Sequence, residues 1–328
     1  MKKILLTVCL IVLGCLQADA QQIHQLTQYT LNNFAFNPAI AGSDVNNIVT
    51  KASSRIQWWG GFDGAEPQTI LLSTHTNFGE KKKVGLGAMI FADKTGPTSR
   101  VGINAAYAYH IPINGYNSKD HISLGISGTL MQYAVNFEEI SLIDQGDIAA
   151  MDAASQRSIT GDINFGAYAY GRRYWIGFSA LQLVQSQVIF NDVDYLQIED
   201  NPNLNLSRHY YLGGGYQFKV DEKIRLEPSA LLKYVAAVPL SFELNVKASY
   251  INKKNSFKEA YWVGLGYRHQ DAFSIMLGVD LDNGLNIAYS YDLISSTIRI
   301  VSNGSHELTL GYDIYREKDL LRAKPFDF

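Results

Sequence analysis

The seven histidines are the residues of this chain with the widest range of chemistry, and their spacing decides between catalysis, metal binding and a structural role. They are His24, His75, His110, His121, His209, His269 and His306. No two have metal-ligand spacing, and neither G-x-S-x-G nor H-E-x-x-H occurs. A hydrolase needs a serine within reach of a histidine, and the one candidate is His110 with a serine on a neighbouring strand. The sequence therefore predicts a non-enzyme, with no catalytic residue, metal or cofactor.

One acidic segment, NDVDYLQIED over 191–200, is rich enough in oxygen ligands to suggest calcium. Its spacing is not that of an EF-hand, so a solvated acidic loop is the simpler interpretation. Long loops on a rigid scaffold often carry binding residues. The residues proposed here for contact with a partner protein are Asp192, Asp194, Tyr195, Glu199 and Asp200.

The first residues predict export. Lys2 and Lys3 precede a short apolar stretch, and Ala18-Asp19-Ala20 fits a cleavage site, so residues 1–20 are predicted to be a cleaved signal peptide. The alternative is a lipoprotein site at Cys15. Both cysteines, Cys9 and Cys15, lie in this region, so cleavage after Ala20 leaves no disulfide or thiolate site.

Charge and hydropathy narrow the class further. The formal net charge is −3, which predicts no binding of nucleic acid. After residue 20, no apolar run approaches the roughly 20 residues of a membrane helix. Spans made of strands remain compatible with the sequence.

The dominant pattern is an alternation of apolar and polar residues. In Val101–Ile113, the odd-numbered residues form an apolar face and the even-numbered ones a small or polar face. The same alternation recurs at 242–250, 273–282 and 307–314. Glu243, Lys247 and Arg268 lie on polar faces, which favours a wet lumen, although a soluble sandwich would also place them outside.

Fourteen such segments occur, most of them closer to the about 9–11 residues of a membrane strand than to the 5–6 of a soluble one. We therefore predict an all-β transmembrane antiparallel barrel of 14 strands. The predicted divisions are an N-terminal segment at 21–44, a barrel at 45–316 and a periplasmic tail at 317–328. The predicted strands lie near 45–58, 67–77, 83–92, 99–113, 120–135, 157–170, 172–182, 208–219, 224–237, 240–252, 257–269, 271–282, 284–293 and 305–316.

The connections predict the orientation. If the chain starts in the periplasm, odd-numbered connections are external and even-numbered ones periplasmic. The longest, near 136–156, 183–207 and 294–304, are all odd, and outer-membrane barrels have long external loops and short periplasmic turns. The pattern predicts that the protein lies in the bacterial outer membrane and that its barrel contacts the membrane lipid.

A set of short motifs carries a family resemblance. They are FNPAIAGS (36–43), R-x-QWWGGFDGA (55–65), PQT (67–69), STH (73–75), VGLG (84–87) and DKTGPT (93–98). In order and wording they resemble the PorP/SprF family of outer-membrane proteins of Bacteroidetes, with departures at Ile40, Trp59 and Asn77. The residues that carry the family signature are Asn37, Pro38, Ala39, Gly42, Arg55, Trp58, Gly60, Phe62, Gly64, Gly96 and Pro97.

The resemblance implies a role in the type IX secretion system and gliding motility. Some members serve the translocon, and others assist the export or surface anchoring of one secreted adhesin-like protein with a C-terminal secretion domain. The implied partners are that cargo and translocon or periplasmic components. The alternative function is a passive porin or small-molecule transporter.

The stretch Asn32–Ser43 is apolar but contains Pro38 and Gly42, so it suits neither a helix nor a strand. Irregular backbone at membrane depth is tolerated inside protein or a wet cavity. We therefore expect 22–43 to fold into or against the periplasmic mouth as a plug-like segment, the alternative being a mobile periplasmic tail.

Overall fold

The computed structural model describes residues 23–44, 47–79, 82–113, 115, 118–136, 156–189, 204–236, 238–254 and 257–315. This part of the chain is almost entirely β-structure. The strands are β1 (Asn47–Ile56), β2 (Gln68–Phe78), β3 (Val84–Thr95), β4 (Thr98–Pro112), β5 (His121–Val135), β6 (Gln156–Tyr170), β7 (Tyr174–Leu181), β8 (Gln187–Val188), β9 (Leu204–Asn205), β10 (His209–Tyr216), β11 (Phe218–Lys219), β12 (Ile224–Val235), β13 (Ser241–Lys254), β14 (Phe257–Arg268), β15 (Ala272–Asp280), β16 (Leu285–Ile294) and β17 (Ser305–Tyr315).

Fourteen of the described strands close one antiparallel barrel, which confirms the predicted fold class and strand number. Each pairs with its neighbour along the chain, β10 follows β7 in the wall, and the short β11 extends the β10–β12 hairpin. The barrel closes where β1 pairs with β17, from Asn47 opposite Tyr315 to Ile56 opposite His306. Because the barrel is closed, the backbone N–H and C=O groups of each strand can bond to a neighbouring strand instead of water. The water-free core of a bilayer requires this.

The barrel is apolar outside and polar inside. On β2, Ile70 is 61% exposed while the adjacent Thr69 is buried. On β4, Val101 and Ile103 are exposed while Asn104 is buried, as the alternation predicted. Water would not favour such a band of exposed aliphatic side chains, whereas lipid would. The outer face is therefore the lipid-facing one.

The connections sort as expected. The four longest, at 57–67, 136–155, 182–208 and 295–304, are all odd-numbered, although some odd-numbered connections are short, such as Gly96–Pro97. We call the end with these long connections the long-loop end, and the end with the turns at 79–83, 171–173 and 281–284 the short-turn end. Within the described residues, no helix is long and apolar enough to cross a membrane.

Residues 23–44, the N-terminal segment, run along the inside of the wall. They form three 3₁₀ turns, Tyr29–Leu31, Asn33–Ala35 and Pro38–Ile40. A further 3₁₀ turn, Thr297–Ile300, precedes β17. Most side chains of the N-terminal segment are buried against lumen-facing residues. The predicted signal peptide, its Cys15 and the predicted tail at 317–328 lie outside the described residues.

Candidate functional site

The long-loop half of the lumen contains a buried group of charges, which we call the lumenal ion cluster: Arg55, Arg268, Asp292 and Glu307. Arg55 Nη2 lies 2.8 Å from Asp292 Oδ2, and Arg55 Nη1 lies 3.2 Å from Glu307 Oε2. Arg268 Nη1 lies 3.4 Å from Asp292 Oδ2. Alternation directs all four into the lumen from β1, β14, β16 and β17, where their charges compensate one another.

The cluster extends towards the long-loop end through Arg268. Its Nε lies 3.0 Å from Glu243 Oε1, and its Nη1 lies 2.9 Å from Asp271 Oδ2. Ser274 Oγ donates to Asp292 Oδ1 at 2.7 Å. Buried charges persist where such partners satisfy their hydrogen-bonding groups.

The lumenal ion cluster holds the N-terminal segment at Thr27 and Gln28. The two backbone N–H groups donate to the two oxygens of Glu307, at 2.6 and 3.1 Å. Thr27 Oγ1 donates to Asp292 Oδ2 at 2.8 Å and accepts from both Arg55 and Arg268. One threonine therefore joins the segment to four strands of the wall.

The middle of the segment crosses to other strands. Tyr29 donates its phenolic hydrogen to Ser229 Oγ on β12 at 3.1 Å. Asn32 Oδ1 accepts from Ser73 Oγ on β2 at 3.0 Å. Leu31 packs on a small apolar cluster of the β14–β16 wall, formed by Trp262, Met276 and Ala288.

Four lumen-facing glycines form a trough in the β3, β5 and β6 wall, which we call the glycine groove: Gly85, Gly87, Gly125 and Gly166. A Cβ added at Gly85 would lie 1.8 Å from Ala41 O, and one at Gly125 would lie 2.4 Å from Ala39 N. A Cβ at Gly166 would lie 2.0 Å from Asn37 Oδ1, and one at Gly87 would lie 2.4 Å from Phe34 Cζ. Glycine is needed at Gly85 and Gly125 because the backbones of segment and wall approach too closely there for any side chain, whereas at Gly87 and Gly166 an added Cβ would meet side chains of the segment.

Polar side chains beside the groove bind the backbone of the segment. Ser123 Oγ donates to Ala39 O at 2.6 Å, and Ser179 Oγ donates to Phe36 O at 2.5 Å. At the short-turn end, Asn77 Nδ2 donates to Asp44 O at 3.0 Å. These bonds satisfy carbonyl groups that a buried irregular backbone would otherwise leave unpaired.

Two histidines complete this set. His110 Nε2 donates to Ala41 O at 2.7 Å, and Tyr170 bonds the other ring nitrogen at 2.9 Å. Gly42 N donates to His75 Nδ1 at 3.2 Å. Ser123, the serine opposite His110, directs its hydroxyl to Ala39 instead. The pair considered for hydrolysis therefore holds the N-terminal segment in this geometry.

Asn37 organises the tightest turn of the segment. Its Oδ1 accepts from Ala39 N at 2.9 Å, which caps the turn that begins at Pro38. Its Nδ2 donates to the carbonyls of Ala167 and Phe178, at 3.1 and 3.2 Å. The side chain thus fixes the turn and ties it to β6 and β7.

The signature residues divide between two places. Asn37, Pro38, Ala39 and Gly42 lie in the lumen against the groove, and Arg55 lies in the ion cluster. The remaining six lie at the long-loop end, in the loop after β1 and the β3–β4 turn: Trp58, Gly60, Phe62, Gly64, Gly96 and Pro97. A single cluster of signature residues is not formed.

Hydrogen bonds fix the loop after β1. Trp59 N donates to Gly304 O at 2.7 Å, and Asn303 N donates to Trp59 O at 2.9 Å. Gly96 N donates to Ala65 O at 3.2 Å. Gly60 adopts a φ of 73°, a left-handed conformation that favours glycine. These bonds, one of them from the signature residue Gly96, brace neighbouring loops against one another.

Sequence reasoning missed part of this arrangement. Arg268 was assigned to a polar strand face, but neither its pairing with Asp292 nor the pairing of Arg55 with Glu307 was predicted. Gly125 and Gly166 carried no distinguishing local signal. The predicted contact residues Asp192, Asp194, Tyr195, Glu199 and Asp200 lie outside the described residues. In the part of the chain that is described, no group of His, Cys, Asp and Glu could hold a metal ion.

A family model confirms the resemblance that the sequence motifs carry. The model of the family described as "Type IX secretion system membrane protein PorP/SprF" matches residues 18–312. None of the curated proteins compared with the chain matches it.

Solved structures share the fold. The monoaromatic hydrocarbon channel CymD superposes with a TM-score of 0.52 at 11% identity, covering 90% of this chain and 94% of that one. The Ralstonia pickettii toluene transporter TbuX gives 0.51 at 10% identity, covering 85% and 92%. At such identity the likeness concerns the barrel fold alone.

Proposed function

This chain belongs to the PorP/SprF family of type IX secretion system membrane proteins, and from this we propose its function. We propose that it is a non-enzymatic outer-membrane barrel that assists one secreted protein. In this proposal it is the partner for export or surface anchoring of an adhesin-like cargo with a C-terminal secretion domain. Translocon or periplasmic components would be further partners. Family membership over residues 18–312 is the observation that carries the proposal.

The N-terminal segment supports a role other than free diffusion of solutes. Its contacts reach β1 at Arg55, β6 at Ala167 and β12 at Ser229, so it crosses the lumen rather than following one strand. We infer that it acts as a plug. Liposome swelling tests the alternative of a passive porin: rapid uptake of small sugars by the unaltered protein, with no protein partner, would favour that alternative.

The test of the main proposal is deletion in the native organism, followed by mass spectrometry of surface and secreted proteins. Loss of one or a few large adhesin-like proteins is expected. Loss of the whole type IX secretome would indicate a core component instead. An unchanged secretome would contradict the proposal.

The external loop supplies a sharper variant of the same test. Complementation with Asp192, Asp194, Glu199 and Asp200 all changed to Asn or Gln should reduce surface display of the cargo. Asp282, an exposed residue of a short-turn-end connection, gives the control Asp282→Asn. Equal display with both complementing genes would remove this loop from the proposal.

Export and processing are part of the proposal. We infer Sec-dependent export and cleavage after Ala20. The intact mass of the purified mature protein distinguishes an N-terminal Gln21 from a lipid-bearing Cys15, which would contradict cleavage after Ala20.

A further inference from the structure

Between Phe34 and Gly42, the barrel wall recognises backbone more than side chains. Carbonyl oxygens at Phe36, Ala39 and Ala41 each accept a hydrogen bond from a wall side chain. The N–H of Gly42 donates to the wall as well. Every polypeptide carries these groups, so the wall groups that bind them are not restricted to this one sequence.

The shape of the wall adds a size requirement. Ala39 and Ala41 are both 0% exposed, and the backbone around them lies almost on Gly125 and Gly85. A bulky side chain at either alanine would have to displace the wall. The site therefore fits small residues after a proline turn.

Charge sets a third requirement. Residues 31–43 contain no Asp, Glu, Lys or Arg. The hydrogen bonds that hold Phe36, Ala39 and Ala41 come from Ser179, Ser123 and His110 rather than from carboxylates or ammonium groups. A charged side chain buried at Ala39 would lose its hydration without gaining a partner charge.

We propose that the glycine groove, with Ser123, Ser179 and His110, is a peptide-binding site for an uncharged segment of a partner polypeptide, one with small residues after a proline turn. Residues 34–42 occupy this site in the present structure. The ligand segment would displace them and form the same backbone hydrogen bonds. The identification of that partner with a secreted cargo rests on the proposed function, whereas the site rests on the geometry of the wall.

The test uses the full chain with a protease recognition sequence inserted between Asp44 and Asn47. The protein is folded, reconstituted in liposomes and then cut. The probe is a fluorescent synthetic peptide with the sequence of 32–44. We expect saturable one-to-one binding to the cut protein, at least tenfold weaker binding to the uncut protein, and at least tenfold weaker binding of a peptide with Ala39→Asp.

Two matched variants locate the site. Gly125→Ala should weaken peptide binding at least tenfold, because its new Cβ would collide with the Ala39 backbone. Gly128 lies on the same strand with open space around its Cβ position, so Gly128→Ala should bind as the parent does. Ser123→Ala combined with Ser179→Ala should also weaken binding without adding bulk.

Several outcomes would overturn the inference. One is a cut segment that never exchanges with excess peptide. A second is binding of a scrambled peptide as tight as that of the 32–44 peptide. A third is equally tight binding of the 32–44 peptide by the Gly125→Ala and Gly128→Ala variants. Peptide exchange with an unchanged secretome in the deletion strain would retain the site and contradict the proposed function. No peptide exchange, together with loss of one or a few adhesin-like proteins in the deletion strain, would contradict the site and retain the proposed function.

Discussion

Arg55 on β1 and Asp292 on β16 form an ion pair across the intervening strand β17, with 2.8 Å between Nη2 and Oδ2. Their side chains are 1% and 0% exposed. Thr27 of the N-terminal segment bonds both residues. The pair therefore connects wall stability with the position of the segment.

Replacing Arg55 by Met is predicted to destabilise the barrel strongly. It leaves the buried carboxylates of Asp292 and Glu307 with fewer compensating charges, and breaking a buried pair typically costs about 3–5 kcal/mol. Equilibrium unfolding in urea from liposomes, followed by tryptophan fluorescence, measures the loss. Lys51, paired with Asp313 at 3.4 Å and less buried than Arg55, provides the control Lys51→Met, for which a smaller loss is expected because water reaches both of its charges. Equal losses for the two variants would refute the special role of the buried pair.

Gly85→Ala is predicted to open the lumen. The added Cβ would lie 1.8 Å from Ala41 O, so the segment or β3 must move. We expect higher ion conductance in planar bilayers than for the parent or for Gly128→Ala, whose Cβ has open space. Conductance of Gly85→Ala no higher than that of Gly128→Ala would show that the contact does not close the lumen.

Asn37→Ala is predicted to loosen the N-terminal segment while leaving the barrel folded. The substitution removes the turn cap, worth about 0.5–2 kcal/mol, and two hydrogen bonds to wall carbonyls. Limited proteolysis of the folded protein in liposomes should cut within the segment faster than in the parent. Asn33→Ala, at a half-buried asparagine of the same segment, is the control. If both variants were cut at the same rate, the cap would not anchor the turn.

The alternation of residues predicted the barrel well because it is a local property of each strand. Ile70 and Val101 face outwards and Thr69 and Asn104 inwards, as a period of two requires. The same periodicity, repeated fourteen times, predicted the strand number. The ends of the strands were predicted less accurately than their number, because turns and bulges determine where a strand ends.

The candidate site was predicted only in fragments. Arg55 and Asn37 were identified through a family resemblance, and no local pattern pairs Arg55 with Asp292. Gly125 looks like any glycine in a strand, because the atom that requires it belongs to Ala39, far away in the chain. Such contacts depend on how the segment folds back into the lumen, which sequence periodicity does not encode.

Acid is predicted to release the first part of the N-terminal segment through His24. Its ring packs at 5.5 Å from Phe36 and 5.7 Å from Phe91, measured between ring centroids. Burial, and secondarily the positive charge of Arg100, lowers the pKa of His24 to about 3. A released His24 would titrate near its ordinary pKa of 6.5, so only the released state gains a proton between these two values.

The sign of the effect follows from that difference. The contribution of His24 to seating of the segment is fully present above about pH 6.5 and falls as the pH drops towards 3, by up to about 1.4 kcal/mol per pH unit. Proteolysis of the segment with an acid-active protease, compared at pH 6.5, 5.5 and 4.5, measures it. His24→Phe should reduce this pH dependence because an aromatic ring is kept and one titrating group is lost, whereas His269→Asn, outside the segment, should retain it in full. An equally steep dependence in His24→Phe would assign the acid response to other groups.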